Sequence, residues 1–486
     1  MAVGTPTVDY ERMKEHWVLP IALMSGTTGM VEAGEEFLPK HPKESQKAYE
    51  NRLKQAVLYN FYRKTVQSLV GQSFIRNVVV SNVPEQLKYL ENNIDGAHTT
   101  ITDFAASLLK DALVYGKSHD YTDFPTRTAN TSFKDFRKAR AYATKLDPRN
   151  VIGWKIDISQ GFEDLIEVRI VEYDLQEDDD WNQEVIERIK VVRKNEILIY
   201  EQQITKLDDP HVMGGSKVQV DYELINVVPN TLGYIPINVT YGEKTGFFQG
   251  RSPLEDMAFL NLRHYQSASD QAHILHVARV PFLFAKGFAE GELDNVEIGP
   301  NRMIVTDNTD ADVKYVEHTS KAIDAGRMYE KDLIEAIGQL GADIVMTRGS
   351  RGDRQTGIAA ILDQSQSLSV IQIILRGIEE SLKNIYKVAG DFMQVTGAEN
   401  VSVTIGDSMG LPNDPNPVQS VIALLQELGL EEEDIIRELK RRGLVSSALQ
   451  SLGNLPKKEE AVIVDDPTVD AESEEEEETS ETEEGE

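Results

Sequence analysis

Ser252-Pro253-Leu254-Glu255-Asp256-Met257-Ala258-Phe259-Leu260-Asn261-Leu262-Arg263-His264-Tyr265-Gln266, running on to Asp270, is the best-marked helix start in the chain. A hydroxyl residue, a proline and a glutamate in this order offer an N-cap, a φ already set for the first turn and a capping-box carboxylate. No breaker follows before Pro281, so the spacing predicts one helix from Ser252 to about Val277, roughly 39 Å at about 1.5 Å per residue. β-like segments come next, at Val280 to Phe284, Arg302 to Thr306 and Val313 to Glu317, with Gly and Asn turns between them. Helix resumes from Lys321 to about Leu340. A small β insert thus stands between two helices.

The flanks sort by period. Leu53, Ala56, Val57, Phe61, Val66, Leu69 and Val70 recur at helical spacing and predict one amphipathic helix ending near Gly71; Ile101 to Leu113 predicts another before Tyr115-Gly116. The first 150 residues read as largely helical. From Trp154 to Ile225 the period drops to two, which predicts a mostly antiparallel sheet with a solvated turn at Glu177 to Asp180. Downstream, Ile358, Ile361, Ser365, Leu368, Ile371, Leu375, Ile378, Leu382, Ile385, Ala389 and Phe392 step by three or four without a break. That is one apolar stripe on a helix of about 50 Å. Val401 to Ile405 alternates as a strand, and Pro415 to Ser447 reads as two short helices.

Composition bounds the function. The 486 residues are enough for about three domains. There is no cysteine, which excludes disulfides, thiolate metal sites and a cysteine nucleophile. No apolar run reaches the length of a membrane span, and the first residues lack the pattern of a signal peptide. Net charge is −31; the stretch Asp465 to Glu486 holds thirteen carboxylates and no Lys or Arg, so −18 remains on the body. Such a tail cannot bury enough apolar surface to fold alone. Gripping DNA by counterion release needs clustered cations, so this balance argues against tight holding, though not against DNA passing by.

Few motifs suggest chemistry. Gly116-Lys117-Ser118 resembles the end of a phosphate-binding loop, but Asp111 stands where its first glycine belongs and the preceding segment reads as helix. Arg351-Gly352-Asp353 is most simply a flexible loop. His273 and His276, with Asp270 and His264 nearby, share a helix face; with no second ligand set, a polar face is the simpler reading, and no metal is expected. Glu379-Glu380 reads as a solvated face. No carboxylate pair or Ser/His/Asp set stands in a catalytic context, so no catalytic residue is assigned. The segment Val345 to Gly357 places Arg348, Arg351 and Arg354 between three glycines and carries +2 in an acidic chain. Either it is an ordinary solvated connection, or a mobile loop whose arginines touch phosphate without reading sequence. Basic clusters at Lys134 to Arg149 and at Arg437 with Lys440 to Arg442 fall in segments read as helical.

Several stretches resemble the portal proteins, or head-to-tail connectors, of tailed double-stranded-DNA bacteriophages. These are Phe37-Leu38-Pro39-Lys40, Ala48-Tyr49 with Arg52-Leu53, Asn60 to Val66, Ala112 to Lys117, Arg140-Ala141-Tyr142 and Ile152-Gly153-Trp154. The most specific is the helix of the opening lines, through Ser252, Pro253, Asp256, Asn261, His264, Tyr265, Gln266 and Asp270. The resemblance spans roughly residues 37 to 395; beyond about 413 nothing specific matches.

What the resemblance implies is an α+β, mainly helical portal fold with wing, stem, clip and crown. Residues 1–251 would be the wing, β-rich over 154–240. Helices 252–277 and 320–341 would be the stem, flanking a clip at 278–319. A tunnel loop at 342–357 would lead to a long wing helix and strand at 358–412. A crown at 413–456 and a disordered acidic tail at 457–486 would close the chain. The implied function is non-enzymatic: a ring of about twelve copies at one capsid vertex, through which the genome is packaged and ejected. Implied partners are double-stranded DNA without sequence preference, the terminase large subunit, which supplies the energy and docks on the clip, the major capsid protein and a head–tail adaptor. No cofactor and no membrane are expected. The implied location is the virion, after assembly in the host bacterial cytoplasm. The competing readings are another oligomeric phage structural protein, such as a head–tail adaptor, and an acidic cytoplasmic hydrolase.

Overall fold

The computed structural model describes residues 3–125, 139–159, 161–177, 181, 183–208, 216–278, 282–287, 310–316, 321–342, 357–405 and 436. The chain divides into two units, Met1–Gly410 and Leu411–Glu486. In the second only Ile436 is described, helical and buried. The expected crown helices, the acidic tail and the cluster Arg437 to Arg442 lie outside the described residues.

The first unit is mixed α+β. Helices α1 (Val8–Ser25), α2 (Thr27–Ala33), α3 (Gln46–Gln55), α4 (Phe61–Ser73), α5 (Tyr89–Asn92) and α6 (Ile101–Tyr115) lead the chain. The single helix expected across residues 53–70 is two. Asn60 explains the break: its side chain accepts from Arg63 N at 2.8 Å and so caps a new helix. Gly71 ends nothing, because α4 continues to Ser73. α6 matches expectation. Thr100 caps it through Asp103 N at 3.1 Å, and Gly116, left-handed at φ 79°, closes it.

Residues 117–125 and 139–150 depart from the helical expectation. Strand β2 (Lys117–Asp123) lies between β3 (Tyr142–Leu146) and β9 (Ile237–Tyr241) in an antiparallel three-stranded sheet. The basic cluster at 134–149 therefore ends on a strand and its following turn, not on a helix. The alternating region forms a five-stranded antiparallel meander of β4 (Val151–Asp157), β5 (Asp164–Glu177), β6 (Gln183–Arg193), β7 (Glu196–Asp208) and β8 (Ser216–Pro229), in that order. Its proximal half is buried through Val168, Ile170, Ile189 and Val191, while Glu172 to Glu177 and Gln183 to Val185 are exposed. Glu177 pairs with Gln183 across the expected turn. A short hairpin, β10 (Glu243–Gly246) with β11 (Gln249–Arg251), precedes the next helix.

Helix α7 (Glu255–Ala278), hairpin β12 (Phe282–Lys286) with β13 (Asp312–Val316), and α8 (Lys321–Ile337) then follow in the expected order. The second β-like segment, Arg302 to Thr306, lies outside the described residues. Helix α9 (Gly357–Met393) is one unbroken run of 37 residues. Its Ile371, Leu375, Ile378, Leu382, Ile385 and Ala389 are buried at the expected spacing. The expected strand at 401–405 is β14 (Ser402–Thr404), and it pairs antiparallel with β1 (Val79–Ser81).

Two cores result. One joins α4, α6, α7 and α9 around Tyr62, Leu108, Tyr265 and Tyr386. The other lies where Tyr10, Met13 and Trp17 of α1 meet Trp154, Ile189 and Phe248 of the β region.

Candidate functional site

The residues of α7 that carry the resemblance form the root by which this helix is fixed to the N-terminal helices. Ser252 sits three residues before the helix; its hydroxyl donates to Leu113 O at 2.5 Å and accepts from Leu254 N at 3.1 Å. It thereby ties the end of α6 to the start of α7. Glu255 closes no capping box. Its carboxylate takes Arg251 at 3.0 Å and His16 at 2.6 Å instead, drawing the β10–β11 hairpin and α1 to the same point. Pro253 is half-buried and Asp256 exposed.

One turn further on, Asn261 is fully buried. Its Oδ1 accepts from Tyr62 N at 2.9 Å, and its Nδ2 donates to Tyr59 O at 2.9 Å. His264 lies edge-on to Tyr59 and Phe61 at 5.6 and 5.2 Å. Burial pushes its pKa down, so the ring packs there as a neutral group. Tyr265 is buried beside it, and Gln266 Nε2 donates to Phe37 O at 2.9 Å.

Asp270 completes the root. Its Oδ1 lies 3.3 Å from His41 and 3.6 Å from the Arg52 guanidinium. Arg52 is buried, donates to both oxygens of Glu44 at 2.9 Å and to Pro39 O at 2.8 Å. This two-point hydrogen bond holds the Glu44 carboxyl at about 2, well below its ordinary value. The stretches 37–40, 49–53 and 60–66 are thus the other half of one joint with α7. Periodicity could not disclose that, because the bonds run between side chains and distant backbone groups.

α8 lies against α7. Gln271 Nε2 donates to Ile323 O at 2.9 Å. Gly326 allows the approach, since a Cβ there would overlap Gln271 Oε1. His273 and His276 are exposed on α7, and among the described residues no group of three or more His, Asp and Glu could hold a metal ion. Between loop 38–42 and these two helices lies a cleft of about 450 Å³.

Gly116-Lys117-Ser118 is no phosphate loop in this fold. Gly116 ends a helix, where a phosphate loop begins one, and a Cβ on it would overlap the Arg251 backbone. Lys117 is buried. Its Nζ donates to Phe248 O at 3.1 Å and lies 4.9 Å from the Trp154 ring. Burial lowers its pKa to about 7. Two positions on, His119 is buried, its pKa pushed well down by desolvation. Asp120 bonds Ser381 Oγ of α9 and accepts from Asn238 Nδ2 at 2.7 Å; burial raises its pKa to about 6. Glu379, expected on a solvated face, instead accepts from Ile405 N at 2.7 Å and fastens the β14 segment to α9.

Arg348, Arg351 and Arg354 lie outside the described residues, between α8 and α9. Among the described residues, no helix is long and apolar enough to cross a membrane.

Residues 253–393, from the start of α7 to the end of α9, match a family model described as a domain of unknown function, DUF4055. No curated protein matches the chain. Three solved structures share a partial likeness. A chain in the neck of an empty gene transfer agent (GTA) particle, computed with C6 symmetry, is 11% identical at a TM-score of 0.42, covering 79% of this chain and 90% of that one. A chain in the neck of the native particle, computed with C12 symmetry, is 10% identical at 0.39, covering 79% and 86%. A chain of the native GTA virion is 12% identical at 0.42, covering 79% and 89%.

Proposed function

We propose that this chain is the subunit of a phage portal ring, a non-enzymatic channel for genome packaging and ejection. The observation that carries the reading is the order α7, β12–β13 hairpin, α8, with the two helices packed side by side and the first rooted in the N-terminal helices. In this reading α7 and α8 are the stem and the hairpin belongs to the clip. The sheet β4–β8 and helix α9 belong to the wing, and the arginine segment 345–357 is the tunnel loop.

The charge suits a channel. About twelve copies at −31 each would present a like-charged wall to DNA, which weakens adhesion so that the duplex slides. The sequence offers no site for hydrolysing ATP, so the energy comes from a terminase docked on the clip.

Negative-stain images of the purified protein test the ring: a closed ring with a central hole is expected, and a compact monomer overturns it. Pull-down of the terminase large subunit separates portal from adaptor. The intact ring should retain it, and a ring with residues 282–316 replaced by a short linker should not. Equal retention by both rings removes the portal assignment.

A further inference from the structure

We propose that the cleft between loop 38–42 and helices α7 and α8 is a socket that receives an acidic segment of a second copy of this chain. The proposal rests on the ring reading above, and three observations lead to it.

The first is charge. Arg52 is spent on Glu44, and Asp270 is shared between His41 and Arg52. Lys40 and Arg263 reach only neutral partners: Lys40 Nζ donates to Gln46 at 3.1 Å, and Arg263 Nη1 to Gln266 at 3.3 Å. Among the described residues neither pairs with a carboxylate. Two cations with no ion-pair partner among the described residues, at a recess whose lining carboxylate Asp270 is already shared, stand out in a chain of net charge −31.

The second is the rim. Tyr329, 45% exposed, stands on the α8 wall, and Phe259, 56% exposed, lies outside the lining, one turn before Arg263 on α7. Aromatics beside an arginine are the composition of interface anchors. The third is room: about 450 Å³ holds several side chains, not a lone ion.

Charge complementarity selects the occupant. A second copy brings a surplus of carboxylates to any contact, and only one carrying them close to Lys40 and Arg263 lowers the repulsion between two acidic chains. A duplex would also find cations here, but its phosphates lie on a broad cylinder and cannot enter a recess.

The test uses rings assembled from equal parts of unlabelled and heavy-nitrogen chains, treated with a carbodiimide, which joins a lysine amine to a carboxylate in contact. Expected are mixed-label peptides joining Lys40 to an Asp or Glu, absent when Lys40→Arg keeps the charge but removes the amine. The double variant Lys40→Glu, Arg263→Glu should weaken subunit association about tenfold or more at low salt. The socket is refuted if rings form and other lysines give mixed-label links while Lys40 links only within its own chain, or if the double variant assembles like the parent. Protection of Lys40 from acetylation by added duplex DNA, and not by ring formation, also refutes it. A chain that stays monomeric in native mass spectrometry overturns the ring and the socket together, which separates that failure from the others.

Discussion

Asn261 on α7 caps the first turn of α4 from outside: its Oδ1 accepts the backbone N–H of Tyr62 at 2.9 Å. The first four N–H groups of any helix lack partners within it. In α4, Asn60 serves Arg63 through its own side chain, and Tyr62 is served by a residue almost two hundred positions away. The same amide donates to Tyr59 O, so one buried side chain satisfies a buried backbone N–H and a part-buried carbonyl.

Replacing Asn261 by Leu keeps the branched outline and removes both bonds. The expected loss is about 1 to 3 kcal/mol of unfolding free energy, the cost of leaving the buried Tyr62 N–H unmatched. Asn261→Asp keeps the acceptor for Tyr62 but sets a carboxylate against the Tyr59 carbonyl. That variant should regain stability on acidification, when a protonated oxygen can donate again. Urea titrations at pH 7 and pH 5 check both, and a Leu variant as stable as the parent removes the capping role.

Arg52 and Glu44 give an acid-limb prediction. Glu44 has its pKa lowered to about 2 in the fold, so the unfolded chain binds its proton first as pH falls. Its stabilising effect is complete above the ordinary carboxylate range and is lost as pH drops toward 2. Glu44→Gln should flatten that part of the stability curve. Arg52→Met should cost about 3 kcal/mol or more at pH 7, because it strands a buried carboxylate. Thermal melts between pH 2.5 and 7 separate these outcomes.

How much of this was legible in the sequence depended on whether apolar spacing carried the information. The α9 stripe was, because Ile371, Leu375, Ile378, Leu382, Ile385 and Ala389 are buried at the spacing that makes them visible. The sheet β4–β8 was, because its strands alternate. Strand β2 was not: Lys117, Ser118, His119, Asp120 and Thr122 are all buried, so no polar–apolar alternation marks it. The gap between α3 and α4 was hidden as well, since Val57 keeps helical spacing yet is exposed. The α7 root was legible only as a set of stretches in order; that they meet depends on hydrogen bonds to backbone, which no spacing encodes.

The arginines of segment 345–357 give a functional prediction drawn from sequence. Three arginines at three-residue intervals between glycines can neutralise phosphates without presenting a rigid surface to a groove. In the portal reading this segment touches the DNA backbone inside the channel. Replacing Arg348, Arg351 and Arg354 together by Ala should leave rings intact in native mass spectrometry while impairing DNA packaging or retention. Normal packaging by the triple variant assigns the segment to an outer connection.

Lys117 gives the opposite pH dependence to Glu44. It is buried against the Trp154 ring with its Nζ on Phe248 O, and desolvation lowers its pKa to about 7 from its ordinary 10.5. Between these values the unfolded chain carries the proton and the folded chain does not. Stability therefore rises with pH across that window, by up to about 1.4 kcal/mol per unit, and the burial penalty stands in full below it. Lys117→Met keeps the apolar stem and removes the titration. The variant should be more stable than the parent at pH 7 and lose that advantage by about pH 10, where the parent's neutral amine still donates to Phe248 O and the variant leaves that carbonyl bare. A stability difference that stays constant from pH 7 to 10 would show that Lys117 is not the group that titrates. ATP turnover that follows the purified protein and vanishes in this variant would instead reinstate the phosphate-loop reading, against a geometry in which Gly116 ends a helix and the lysine faces an aromatic wall.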